Sequence, residues 1–212
     1  MTQTQPTFSQ RGRRDNFLRK LQSLCGVVPL GVFLCFHMLV NYGVVFSHEG
    51  YDAVGHFLAT MPYKMALETL VIFLPLLFHA AYGVVIVARS GFNADRYTYV
   101  RNWRYVFQRI TGIVALAFVA WHIYGTKLQV ELAGVDPSYG MVHAIVSDPV
   151  GLTLFATGLL CCVYHFINGL WTFLITWGVT VTERSQKISQ CVLTAAFIVA
   201  SAFSMQALLA FA

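Results

Sequence analysis

Seven histidines occur in the 212-residue chain, and four of them stand where a polar side chain is costly. His37, His79, His122 and His165 each fall inside a different long apolar run, whereas His48, His56 and His143 fall in connections. A neutral imidazole offers one N–H donor and one lone pair, so it can bind a metal, relay a proton or join two helices by a hydrogen bond. Hydrocarbon supplies none of these partners, and an ionisable residue within a span is by default a functional one. Two chemistries suit four such residues: a metal or proton pathway lined with imidazoles, or paired imidazoles acting as metal ligands.

The apolar runs are the elements that must position these histidines. About 20 predominantly apolar residues suffice to cross a bilayer as a helix. Five runs qualify: 21–46, 65–88, 105–130, 150–179 and 188–212. Barrel strands would alternate over about ten residues, and these runs do not. The expected fold class is therefore an all-α integral membrane protein, a five-transmembrane-helix bundle. Residues 1–20 form a basic amino-terminal segment and 21–212 a single membrane domain, without a convincing internal repeat. Composition agrees, at 57% hydrophobic and 11% charged residues with a mean hydropathy of +0.63. Soluble domains carry about 25% charge. The first run is long, contains His37 and lacks a clear cleavage site, so no leader peptide is expected.

The formal charge of +5 is an asymmetry rather than a nucleic-acid footprint. Arg11, Arg13, Arg14, Arg19 and Lys20 precede or open the first run, and Arg89, Arg96, Arg101, Arg104 and Arg109 lie between the second and third or open the third. With Arg184 and Lys187 before the fifth, one side holds twelve of the 14 basic residues, leaving Lys64 and Lys127 opposite. Basic residues concentrate on the cytoplasmic side. The amino terminus is thus expected inside and the carboxy terminus outside, in a bacterial-type cytoplasmic membrane. The basic face also suits a docking partner, and no nucleic acid is expected.

Orientation sorts the four histidines by depth. At 1.5 Å per residue, His37 and His122 lie roughly 22 and 25 Å from the inner starts of their runs, in the outer half. His79 and His165 lie roughly 15 and 20 Å from the inner ends of theirs. Two levels, each served by two helices of like direction, predict two pairs of opposed imidazoles. Such a pair is the axial ligand set of a six-coordinate b-type haem, which carries electrons rather than oxygen chemistry. Gly83 and Gly169 follow His79 and His165 by four residues, and Gly125 follows His122 by three, where a flat macrocycle would approach; Asn41 takes this place after His37. Propionates require cationic or hydrogen-bonding partners near the interfaces. Arg19, Ser23, Arg109 and Thr111 are candidates on the inner side and Lys127 on the outer. Pro75, four residues before His79, is placed to kink the second span.

Other chemistry is not indicated. Cys25, Cys35, Cys161, Cys162 and Cys191 all lie within spans and lack zinc or iron–sulfur spacing, so they are expected to be free thiols. There is no phosphate-binding loop, zinc-protease motif or serine elbow. Flavin and substrate chemistry would have to reside on another chain.

Four segments resemble the single-chain dihaem cytochrome b anchor of succinate:quinone oxidoreductases, the Bacillus-type and Wolinella-type succinate dehydrogenase and fumarate reductase membrane subunit. They are FLRKLQSLCGVVPLGVFLCFHMLVN (Phe17–Asn41), ALETLVIFLPLLFHAAYGV (Ala66–Val84), YTYVRNWRYVFQRITGIVALAFVAWHIYGT (Tyr97–Thr126) and YHFINGLWTFLITWGVTVTERSQK (Tyr164–Lys187). The resemblance implies five transmembrane helices and two haem b groups, with His37 and His122 at the outer one and His79 and His165 at the inner one. It also implies a flavoprotein and an iron–sulfur subunit docked on the cytoplasmic face, with succinate oxidised on the flavoprotein. A quinone, menaquinone by expectation, would be reduced near the outer haem, with Asp52 or Glu68 assisting proton exchange. Gln22 departs from the pattern, since relatives often have histidine before the Ser-x-x-Gly segment.

Under an outside-positive potential, electrons moving outward gain roughly 2.3 kcal/mol per charge per 100 mV, which would help to reduce a low-potential quinone. Run backwards, the same wire serves fumarate reduction. Alternatives are the cytochrome b anchor of a hydrogenase or formate dehydrogenase, a b561-like ascorbate reductase, and a haem-free His-lined transporter.

Overall fold

The computed structural model describes residues 8–91 and 98–212, with side chains from Gly12 onward. Residues 1–7 of the basic segment, the Arg11 side chain and Arg96 lie outside the described residues. Among the described residues, five helical stretches are long and apolar enough to cross a membrane: Gly12–Val45, Lys64–Ala88, Val100–Ala133, Pro149–Thr176 and Glu183–Phe211.

The first span joins α1 (Phe8–Val27), α2 (Pro29–Tyr42) and a 3-10 turn, Gly43–Val45. Pro29 lacks an N–H but occupies the first turn of α2, where that donor has no intrahelical partner. Val28 N–H still donates to the Leu24 carbonyl at 2.9 Å, so the two helices run on as one rod. The span begins well before residue 21 because the arginine-rich turns are helical too, and Arg13, Arg14 and Arg19 are exposed there.

The second span runs through α4 (Lys64–Leu67), a π-helical stretch Glu68–Phe73, and α5 (Leu74–Ala88). Pro75 sits in the first turn of α5, and the wide π turn before it absorbs the interrupted hydrogen-bond ladder. The third comprises α6 (Val100–Gly125) and α7 (Lys127–Ala133), broken at Thr126, whose φ of −123° and ψ of −79° are not helical.

Two shorter helices fill the connections at the far end: α3 (His48–Ala59), capped by Ser47, and α8 (Tyr139–Val146). The Asp52 carboxylate accepts from Tyr139 N–H at 2.6 Å, tying α3 to the start of α8. Two of the three connection histidines have ring partners there. His48 stacks on Tyr139 at 3.9 Å, and the His143 ring nitrogen Nδ1 donates to the Phe211 carbonyl at 2.7 Å.

The fourth span is α9 (Pro149–Thr176), capped by Asp148, with Pro149 in the first turn. It ends before residue 179 because Gly178 takes a φ of +73° and Val179 N–H folds back onto the Leu174 carbonyl. The last span is α10 (Glu183–Phe211), begun by a reciprocal Thr182–Ser185 capping box. Phe211 reaches Tyr51 of α3, so the carboxy-terminal end of α10 lies at the end of the bundle opposite the start of α1.

In the bundle, α9 packs against α6, α10 and α1, while α5 packs against α1. Val163, Ile167, Trp171 and Leu193 form one buried cluster, and Val44, Val142, Val146, Leu208 and Phe211 another at the far end. Large apolar side chains such as Val32, Leu77 and Val199 are about two-thirds exposed, at 67%, 67% and 68%. That outward-facing surface is what a helix bundle presents to lipid.

Candidate haem-binding sites

The bundle brings the four intramembrane histidines together as two pairs. His79 on α5 faces His165 on α9 with ring centroids 6.1 Å apart and planes at 87°. His37 on α2 faces His122 on α6 at 5.9 Å and 74°. A metal–imidazole bond of about 2.0–2.1 Å puts two trans nitrogens about 4 Å apart. With each nitrogen about 1 Å from its ring centre, the rings of such a pair stand about 6 Å apart. Both pairs meet that condition. Among the described residues, no group of three or more His, Cys, Asp or Glu could hold a metal ion. A pair of imidazoles instead suits a metal that brings its own equatorial ligands, as a porphyrin does.

Sequence reasoning missed how the inner pair is held. His79 Nδ1–H donates to the Gln22 carbonyl of α1 at 2.9 Å, and His165 Nδ1–H donates to the Gln108 carbonyl of α6 at 3.0 Å. Each bond fixes a tautomer and leaves Nε2 with its lone pair free toward the opposite ring, the outer-sphere arrangement common to metal-bound histidine. The two bonds share one pattern. Both span 57 residues, and a glycine follows each glutamine by one turn. A Cβ at Gly26 would stand 2.4 Å from His79 Cε1, and one at Gly112 would stand 2.8 Å from His165 Cε1. Only glycine lets the neighbouring helix approach these rings.

The glycines that the sequence pointed to lie close by. A Cβ at Gly83 would lie 3.6 Å from Gln22 Nε2, and one at Gly169 would lie 3.3 Å from Gln108 Nε2. The chain thus carries a recurring unit: Gln-x-x-x-Gly on the first and third spans against His-x-x-x-Gly on the second and fourth. This local repeat was legible in the spacing, although the halves show no wider likeness.

The outer pair is built differently. Asn41 Nδ2 lies 3.3 Å from His37 Nε2 and donates to the His37 carbonyl at 2.8 Å, while His122 Nδ1 is buried without a partner among the described residues. Phe33 stacks on His37 at 5.4 Å, and Phe118 and Phe155 stand 5.8 and 5.5 Å from His122. A cavity lined by Trp121, His122, Tyr124, Gly125, Ile145 and Phe155 opens beside this pair, and it contains Gly125. Behind Asn41, the Tyr51 hydroxyl donates to Asn41 Oδ1 at 3.3 Å. Burial, assisted by the charge of Asp52, pushes the Tyr51 phenol up to about 12.

The remaining candidates separate by what they already bind. Arg109 Nε and Nη1 are buried with no hydrogen-bond partner among the described residues, its guanidinium lies 3.3 Å from the Tyr105 ring centre, and the like charge of Arg19 acts on it. Two cations so placed call for an anion. Ser23 is half-buried one turn along α1 from Arg19. Thr111 spends its hydroxyl proton on the Phe107 carbonyl at 2.7 Å. Lys127 pairs with Glu68 and, at 2.8 Å, with Glu131, which also binds Lys64 at 2.9 Å. Glu68 is therefore ion-paired, and Asp52 caps α8. All five cysteines are free thiols.

The family described as succinate dehydrogenase/fumarate reductase transmembrane subunit matches residues 89–203. The chain is also similar to the succinate dehydrogenase cytochrome b558 subunit of Bacillus subtilis (strain 168), 42% identical over 200 residues that cover 94% of this chain and 98% of the relative.

Proposed function

The chain belongs to the succinate dehydrogenase/fumarate reductase transmembrane subunit family, and from that premise we propose that it is a dihaem cytochrome b anchor of succinate:quinone oxidoreductase. The observation that carries this reading is the pairing of four intramembrane histidines at two levels, each pair about 6 Å between ring centres. His79 and His165 hold the inner haem b, and His37 and His122 the outer one. Bound there, haem supplies reversible one-electron transfer between partner subunits at the basic face and a quinone, menaquinone by this reading, at the far end.

The chain's own residues do the rest. The Gln22 and Gln108 carbonyls keep Nε2 of the inner histidines unprotonated and aimed inward. Phe33, Phe118 and Phe155 keep water from the outer pair. Arg109, with the charge of Arg19 near it, would hold a propionate of the inner haem, since its guanidinium Nε and Nη1 have no acceptor among the described residues, and Ser23, one turn along α1 from Arg19, would assist. Lys127 is engaged by Glu68 and Glu131, which leaves one of its three ammonium N–H groups for a propionate of the outer haem. Asp52 and Glu68 both lie at the quinone end, on α3 and at the start of the π-helical stretch.

The basic side faces the cytoplasm, supported by twelve of 14 cationic residues, and the flavoprotein and iron–sulfur subunits dock on it. Succinate is oxidised on the flavoprotein. Haem counting in the purified complex tests the assignment. His79→Ala or His165→Ala removes the inner b-haem from the visible spectrum and leaves the outer one at half or more of its normal content. Two intact b-haem spectra in either variant refute it.

A further inference from the structure

We propose that the amides of Gln108 and Asn168 form a positioning clamp that sets the rotation of the His165 imidazole and thereby the crossed arrangement of the inner axial ligands. The inference rests on the haem reading above and goes beyond it, because neither side chain is a ligand.

His79 and His165 are not held alike. His79 has one anchor, the Gln22 carbonyl. Around His165 the same backbone bond, from Nδ1–H to the Gln108 carbonyl, is joined by a second from the Gln108 side chain, whose Nε2 donates to the His165 carbonyl at 3.0 Å. Gln108 thus grips the ring and the backbone of one residue on the facing helix. Its remaining polar atom, Oε1, accepts from Asn168 Nδ2 at 2.7 Å. Asn168 is only 2% exposed, sits three residues after His165, and also reaches the Arg104 carbonyl at 3.4 Å. Gln108 Nε2 and His165 Nδ1 are 3.3 Å apart, so the amide lies against the ring itself.

The physical consequence is rotational. A single Nδ1–H bond leaves an imidazole able to swing about its Cβ–Cγ axis while the donor follows the acceptor. An amide packed on Nδ1, and held in turn by a buried second amide, removes that freedom. Gly112 and Gly169 complete the device. A Cβ at Gly112 would come within 2.8 Å of the ring, and one at Gly169 within 3.3 Å of the clamping amide. The planes of His79 and His165 cross at 87°. Crossed axial imidazoles leave the two iron orbitals that interact with them nearly degenerate, so the ferric haem has a strongly anisotropic spin-resonance spectrum.

The test uses the intact membrane complex with Gln108→Met, which keeps length and removes both polar functions, and Asn168→Leu, which removes the support. Both haems are counted by pyridine haemochrome, and the oxidised complex is examined by electron paramagnetic resonance and redox titration. The expected result is two haems per complex, a lowered and broadened g-maximum for the inner haem, a shifted inner midpoint potential, and an unchanged outer signal. Gln108→Glu keeps the side-chain length and an acceptor for Asn168 Nδ2, and moves the g-maximum back toward its normal position. An unmoved inner signal in both variants with two haems present overturns the clamp and leaves the haem reading intact. Equal disturbance of the outer signal, or failure of Gln108→Glu to restore an inner haem lost in Gln108→Met, also overturns it. A wild-type complex without two b-haems refutes the haem reading instead.

Discussion

The two histidine pairs have nearly the same ring separation, 6.1 and 5.9 Å, yet they stand in opposite environments. The inner pair is held from behind by main-chain carbonyls of neighbouring helices and recessed against glycine. The outer pair has one nitrogen in contact with an amide of its own helix, one buried nitrogen with no partner among the described residues, and a wall of phenylalanines. A ring fixed by its outer-sphere bond is pre-organised for a metal, and loss of such bonds typically costs 10–100-fold in affinity. The inner site is therefore assembled by the fold itself. The outer pair reaches nearly the same spacing, 5.9 Å, with less support from neighbouring helices.

The largest break in this comparison comes from the glycine recesses. Gly26→Ala places a methyl 2.4 Å from His79 Cε1, and Gly112→Ala one 2.8 Å from His165 Cε1. Each ring is hydrogen-bonded to a carbonyl of the same helix one turn before the glycine, so it cannot retreat from the added methyl without losing that bond. Overpacking of this kind costs about 1–3 kcal/mol, and the ring displacement adds the loss of haem affinity. Inner-haem content should fall at least about tenfold in Gly26→Ala and less in Gly112→Ala, with the outer haem retained. Pyridine haemochrome analysis of the isolated complex measures it; equal loss of both haems would mean that the glycines serve general packing.

A smaller effect is expected on the other side. Asn41→Leu removes the amide that touches His37 and leaves the half-buried Tyr51 hydroxyl without its acceptor. A buried polar group left unpaired costs about 1–3 kcal/mol. The outer haem should shift its potential and become easier to extract, while the inner spin-resonance signal stays in place. An inner signal that moves as well would show that the two sites are coupled through the bundle.

The sequence makes the spans and the histidine levels readable for different reasons. Continuous apolar runs cannot be barrel strands, and Pro75, Gly178 and the Thr182–Ser185 box each leave a recognisable mark on a helix. Histidine depth follows from counting along a rigid rod. The Gln22 and Gln108 carbonyls were invisible because every residue owns a carbonyl, and only the helix contact decides which one faces Nδ1. Their one clue was the repeated Gln-x-x-x-Gly. The Lys127 engagement with Glu68 and Glu131 shows the same limit in reverse, since the link to Glu68 joins charges 59 positions apart. Helices α3 and α8 fill connections that composition marks only as polar and aromatic.

The smallest effect sharpens the outer site's chemistry. Tyr51 lies on the hydrogen-bonded path from α3 to His37 and invites a role in proton exchange. Its phenol ordinarily ionises near pH 10, and burial with the Asp52 charge raises this to about 12 in the folded chain. A raised value favours the protonated form. The native state therefore draws stability from neutral Tyr51 at every pH below about 10, and that contribution disappears only as the pH climbs through about 12. Between pH 6 and 9, Tyr51 is a fixed donor and exchanges no protons by ionising. Tyr51→Phe should thus leave the pH dependence of the outer haem potential unchanged in slope and midpoint. It should weaken stability by about 0.5–1.5 kcal/mol for the lost hydrogen bond. Redox titration across that pH range decides the point: a slope that flattens in Tyr51→Phe would make the phenol a proton donor, and an unchanged slope leaves the acids Asp52 and Glu68 as the groups to examine.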